Sequence, residues 1–155
     1  MTQVAVDVAS VVEKAQPASA DIRALRLAIS RDPGARRRAT DYVASMPSDD
    51  AGHADDKKLV VRKGLAPWVV GRERDAAIWL RHSGSKVAEE VLGRCLVATG
   101  RPGEALEARS GHAGDGDVAA VIAEAHARQG DADACAKAAK GVSDAADKSY
   151  LEARA

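Results

Sequence analysis

The sequence predicts an all-α fold of antiparallel helix pairs, and three observations lead there. Hydrophobic residues make up 46% of the 155 positions but aromatics only 3%, with no Phe. The core must therefore be built from Ala, Val, Leu and Ile, small side chains that let helices approach closely and that favour helix over sandwich or barrel. Apolar residues recur every three or four positions along most of the chain. The breaks between these runs are short and rich in Gly or Pro, and short connections make consecutive helices antiparallel neighbours.

The first run holds Val4, Val8, Val11, Val12 and Ala15 and stops before Pro17. A second begins near Ser19, expected as its N-cap, and carries Ile22, Leu25, Ala28 and Ile29 to the break at Asp32-Pro33-Gly34. A third holds Ala35, Ala39, Tyr42, Val43 and Met46 up to Pro47. The stretch 48–56 is polar, Asp-rich and contains Gly52, which predicts a loop between an N-terminal lobe at 1–47 and a C-terminal lobe at 57–155 within one 155-residue helical domain.

Residues 57–66, with Leu59, Val60 and Val61, fit a short helix or a strand, whereas the run from Pro67 to Arg81 predicts one long helix. Further on, Ala88, Val91, Leu92, Cys95, Leu96 and Thr99 share a helical face that ends at Gly100-Arg101-Pro102-Gly103, and a short helix follows over about 104–109. After the glycine-rich stretch 111–116, a stripe of Val118, Val121, Ile122 and Ala125 stops at Gly130, where Asp131 is placed to cap the next helix.

Lys and Arg total 23, as do Asp and Glu. The resulting zero net charge argues against a protein that coats nucleic acid or anionic membrane. Cys95 and Cys135 lie singly inside apolar patterns, so they are expected as reduced core thiols of a cytoplasmic protein. No run approaches the roughly 18 apolar residues of a membrane span.

Aligning Gly100 with Gly130 superposes Leu92-Gly93 on Ile122-Ala123, Leu96 on His126, and Ala105 on Cys135. This order of a large apolar residue, a small one, a bulky one three later, a turn glycine and a small residue five beyond resembles the tetratricopeptide repeat over residues 85–142, although the period here is 30 rather than about 34. The resemblance implies helix pairs stacked as a short α-α superhelix, with Gly93 or Ala123 facing Ala105 or Cys135 where the helices of a pair cross. Upstream, Asp32-Pro33 followed by Arg36 and Ala39 resembles the turn of HEAT-type repeats, which implies the same architecture.

The four histidines, His53, His82, His112 and His126, are scattered, and none has a metal-ligand spacing. His112 with Asp115 and Asp117 lacks the further oxygens of a cation loop and is expected as a solvated turn. His126 is expected as a half-buried packing residue. The run Gly111-x-x-Gly114-x-Gly116 lacks the Lys-Ser/Thr ending and preceding strand of a phosphate loop. Trp68 and Trp79, eleven residues apart, would share a face of a continuous helix, as core or as a binding hot spot.

These readings set aside a membrane partner, count against nucleic acid, and favour a non-catalytic scaffold without cofactor or metal, which binds a protein partner, a peptide or a partner helix, in a helix-lined groove. Glu89, Glu90, Arg94, Glu124 and Arg128 lie off the apolar stripes and are expected to face the partner, with Trp68 and Trp79 as further contacts. The alternatives are a nucleic-acid-binding repeat that sets Arg36, Arg37, Arg38, Arg72, Arg74 and Arg81 against phosphates, and a homo-oligomer in which copies cover each other's apolar end faces.

Overall fold

The computed structural model describes residues 8–14, 16–46, 57–108 and 111–155. Among them it is all-helical, with ten helices and no strand: α1 (Val8–Val12), α2 (Ser19–Arg31), α3 (Pro33–Ser45), α4 (Lys57–Val69), α5 (Glu73–Leu80), α6 (Lys86–Ala98), α7 (Pro102–Glu107), α8 (Gly116–Gln129), α9 (Ala132–Ala139) and α10 (Ala145–Arg154). They form two compact units, Met1–Ser83 and Gly84–Ala155. Val4, Ala15, His53 and the loop expected at 48–56 lie outside the described residues.

In unit 1, α4 packs against α1, α2, α3 and α5. Surrounded in this way, it buries Val61, Leu65, Ala66, Trp68 and Val69. Packed on several sides, α4 shows little amphipathic period, so its β-branched start resembles a strand in sequence yet is helical here. The stripes of α2 (Ile22, Leu25, Ile29) and α3 (Ala35, Ala39, Val43) are buried as their spacing requires. Asp32 caps α3 by accepting from the N–H groups of Gly34 at 2.8 Å and Ala35 at 3.1 Å. The expected Ser19 cap is not made. Ala18 occupies the N-cap without a side-chain bond, and Ser19 is buried in the first turn.

The long helix expected over 67–81 is two helices, broken at Gly71. There Gly71 has φ 84°, its N–H donates to the Trp68 carbonyl at 3.0 Å, and the Arg72 N–H donates to the Pro67 carbonyl at 2.8 Å. This pair of bonds around a left-handed glycine closes the last turn of a helix. The same pair recurs at Gly100 (φ 76°), to Val97 and Leu96, and at Gly130 (φ 77°), to Ala127 and His126. A hairpin of two helices thus occurs three times, at intervals of 29 and 30 residues. Seven positions before each turn glycine stand Gly64, Gly93 and Ala123, and five after it Ala76, Ala105 and Cys135; all six are buried.

In unit 2 each helix packs on the next, and α6 packs on α8 as α8 does on α10. Asp115, Asp131 and Asp144 cap α8, α9 and α10. The crossing expected between Gly93 and Ala105 is not the closest one. A Cβ on Gly93 would meet Cγ1 of Val121 at 2.5 Å and nothing from α7 within 4 Å, so its smallness serves the approach of α6 to α8. The equivalent Gly64 in unit 1 does serve its own hairpin, where a Cβ would overlap the Leu80 side chain of α5. Cys95 and Cys135 are buried and in no disulfide.

Candidate functional site

The residues singled out in α6 and α8 are all in unit 2, and the structure separates them into inside and outside. Glu89 and Glu90 are not on an open face: they are 8% and 0% exposed. A buried carboxylate is tolerable only when charged or hydrogen-bonding groups meet it. One turn on, Arg94 supplies Nε to Glu90 Oε1 at 2.9 Å. For Glu89 the partner comes from the glycine-rich loop, where His112 Nδ1 lies 2.7 Å from Oε2. His112 is therefore not a solvated turn residue but ties that loop to α6.

Arg94 itself is 30% exposed. It continues a stripe along α6 formed by Lys86, Glu90 and Arg94 at four-residue spacing, positions that fall on one helix face. Lys86 crosses to the start of α8, with Nζ 2.9 Å from Asp115 Oδ2 and 3.7 Å from Asp117 Oδ2. The Asp115 hydrogen bond holds the Lys86 ammonium above its usual range. Burial would raise the Asp115 carboxyl, but the Lys86 bond and the N–H groups of Asp117 and Val118 outweigh it and bring the group below its usual value.

The polar surface continues on α8. Glu124 Oε1 accepts from Arg128 Nε at 2.8 Å and from Arg154 Nη1 of α10 at 2.9 Å, while Arg154 also donates to the Tyr150 hydroxyl at 2.9 Å. Hydrogen bonds to Tyr150 and Glu124 push the Arg154 guanidinium up. The result is a surface of alternating charge over α6, α8 and α10, with Arg128 and Tyr150 exposed and Arg94 partly so. Lys86, Tyr150 and Arg154 were missed by the sequence reading. The four-residue spacing from Lys86 to Arg94 was the available signal for the first, and nothing local marks the other two.

Trp68 and Trp79 do not share a face, because the break at Gly71 places them on α4 and α5 of unit 1. Trp68 is buried under Arg26, whose guanidinium carbon lies 4.4 Å from the ring centroid and whose Nη1 donates to the Trp68 carbonyl at 2.8 Å. Glu73 holds that guanidinium from α5 at 2.6 Å. Trp79 is half-buried, with Lys63 Nζ 4.9 Å from its ring, and lines a cavity of about 190 Å³ with Val43, Met46, Lys63, Pro67, Arg72 and Asp75. Arg36, Arg37, Arg38, Arg72, Arg74 and Arg81 are all exposed and all in unit 1. His126 is half-buried, as expected of a packing residue, whereas Leu96 at the equivalent position is fully buried.

Among the described residues no group of three His, Cys, Asp or Glu side chains is arranged to hold a metal ion, and no helix is long and apolar enough to cross a membrane. No family model, curated protein or solved structure matches the chain.

Proposed function

We propose that the chain is a non-catalytic adaptor that binds a protein partner, a peptide or a helix, on the polar surface formed by α6, α8 and α10. The observation that supports this reading is the threefold hairpin around Gly71, Gly100 and Gly130, with buried small residues at matching distances on either side. Repetition of one supersecondary unit multiplies equivalent helix faces rather than building a single cleft, and stacked helix pairs of this kind serve extended binding surfaces. In unit 2 the contacts of α6 with α8 and of α8 with α10 support a tetratricopeptide-like stacking of the pairs. The mixed charge of Arg94, Glu124 and Arg128 suits a partner segment that carries both signs.

The test must respect Glu90, because removing Arg94 outright would leave a buried carboxylate without its guanidinium. Partners are captured from the source cells by crosslinking to the full-length chain and identified by mass spectrometry. Their affinity is then compared for the parent and for Arg94→Lys combined with Arg128→Ala. A loss of about tenfold in a variant of unchanged helicity supports the surface. Unchanged affinity removes it, and a turnover that copurifies with the chain through every step overturns the non-catalytic reading.

A further inference from the structure

Arg36, Arg37 and Arg38 on α3 are exposed, and among the described residues their side chains make no hydrogen bond or ion pair. Three consecutive helix residues fan over about 200°, so one partner group meets at most two of them. Two residues on, Thr40 is also exposed, and its hydroxyl donates only to the Arg36 carbonyl of its own helix, at 2.9 Å. Arg36 and Arg37 precede Thr40 by four and three residues, the spacings that place side chains on one face. Val43 and Ala44, which follow on that face, carry no charge, and Asp41 is turned about 100° away from Thr40.

An exposed hydroxyl one turn from two unengaged guanidiniums has a chemistry that neither group has alone. A phosphate ester on Thr40 would bring up to about two negative charges and three acceptor oxygens. Guanidinium forks take such oxygens bidentately. The same arginines serve before the transfer, because protein kinases select substrates by charge pattern and a basic run directly ahead of the acceptor suits an acidic groove. Other hydroxyls lack this setting. Ser30 has Arg26 four residues before it, but that guanidinium is spent on Trp68 and Glu73, and the Ser85 hydroxyl caps α6.

The acceptor has to leave its helix to enter an enzyme's cleft, and α3 lets it do so at low cost. Opening the helix from its C-terminal end back through Arg37 withdraws two buried side chains, Ala39 and Val43, while Ala35 and the Asp32 cap hold the first turn. Segments with so few buried apolar groups open locally without global unfolding.

We infer that Thr40 is a phosphorylation site, filled by an arginine-directed protein kinase and clamped in the product by Arg36 and Arg37. ATP is the donor: its γ-phosphorus bonds to Thr40 Oγ1, the bond to the β-phosphate oxygen breaks and ADP leaves, and the hydroxyl proton passes to the kinase's general base. The three positive charges of the arginine run then fall to a net charge of about one at pH 7, so the modification switches the charge of α3 and leaves its buried face alone. The site lies in unit 1 and does not rest on the polar surface of unit 2.

The full-length chain is isolated from the source cells, and a dephosphorylated sample of it is incubated with an extract of those cells, magnesium and ATP. Phosphopeptides from both are mapped by mass spectrometry. Phosphate is expected on Thr40 in both, absent in Thr40→Val and entering about tenfold more slowly in Arg36→Gln combined with Arg37→Gln. Each replaced residue is exposed, and far-UV circular dichroism confirms that the variants keep their helices. Phosphorus NMR of the modified chain then reads the clamp. The second ionisation of a phosphate ester falls near pH 6, and two guanidiniums beside it should move it to clearly lower pH in the folded chain, with a return to about 6 in urea and in the double arginine variant. Thr40 bare in both materials, or phosphate on other hydroxyls alone, overturns the site. A phosphate on Thr40 that titrates at the same pH in the folded chain as in urea overturns the clamp.

Discussion

Gly93 and Val121 meet where α6 crosses α8, so closely that a methyl group on Gly93 would lie 2.5 Å from Cγ1 of Val121. Both residues are buried, and a β-branched side chain cannot turn away within a packed helix. Two effects of opposite sign compete in Gly93→Ala. Helix propensity favours Ala by about 1 kcal/mol, while overpacking of a core contact costs about 1–3 kcal/mol. Overpacking should win, giving a net loss of up to about 2 kcal/mol in urea unfolding. Val121→Ala opens the same space, so the double variant should recover part of the loss, and strictly additive changes would show that the two sites do not touch.

The three turn glycines offer a cleaner measurement. Gly71, Gly100 and Gly130 have φ between 76° and 84°, and a Cβ at any of them would meet nothing within 4 Å. Replacement by Ala therefore changes the backbone energy alone, at about 1–2 kcal/mol for a left-handed residue. If the three hairpins are equivalent, the three Ala variants should lose similar stability. A negligible loss at Gly71 beside normal losses at the other two would separate unit 1's hairpin from the repeat.

How much of this was legible depended on the surroundings of each helix. One-sided helices such as α2 and α3 declare themselves through Ile22-Leu25-Ile29 and Ala35-Ala39-Val43, and Asp32 and Asp131 mark the starts of α3 and α9. The turn at Gly71 stayed hidden because Trp68, Val69 and Val70 precede it and Ala76 and Ala77 follow it, so the apolar pattern runs across the break. Its repeat signature was nonetheless present, in Gly64 seven residues before and Ala76 five after. The last helix, α10, buries only Leu151 and leaves almost no stripe to read. The polar surface of unit 2 was half-legible. Arg94, Glu124 and Arg128 reach it, but the burial of Glu89 depends on His112 from a loop 23 residues away, which no local pattern encodes.

Both thiols should react slowly with an alkylating or disulfide reagent in the native protein. Cys95 and Cys135 are each 0% exposed, and burial pushes the Cys135 thiol above its usual range, which lowers the reactive thiolate. Cys135 Sγ also lies 3.7 Å from the Leu151 carbonyl of α10, a weak bond that ties it to the last helix. Labelling should accelerate in denaturant with the unfolding transition. Cys135 reacting at the rate of a free thiol in water, without denaturant, would contradict its place in the core.

The pairing of Lys86 with Asp115 predicts a defined response to pH. Asp115 uses one carboxylate oxygen to cap α8 through the Asp117 N–H at 2.9 Å and the other to hold Lys86. Its folded value lies below the ordinary 3.8, so its contribution is present above that pH and is lost as pH falls through the depressed folded value. Lys86 lies above its ordinary 10.5, so its contribution is full below 10.5 and is lost only as pH rises through the raised folded value. Between those limits the pair should be insensitive to pH. Asp115→Asn keeps a good capping residue but removes the charge. With Lys86 at 44% side-chain exposure, water screens the pair, and the variant should lose only about 0.5–1 kcal/mol near pH 7. Urea midpoints for parent and variant, taken from pH 2 to pH 9, should differ by that amount on a plateau and converge once the pH passes well below 3.8. A difference that persists undiminished at the lowest pH would mean that packing, rather than the carboxylate charge, holds the start of α8 against Lys86.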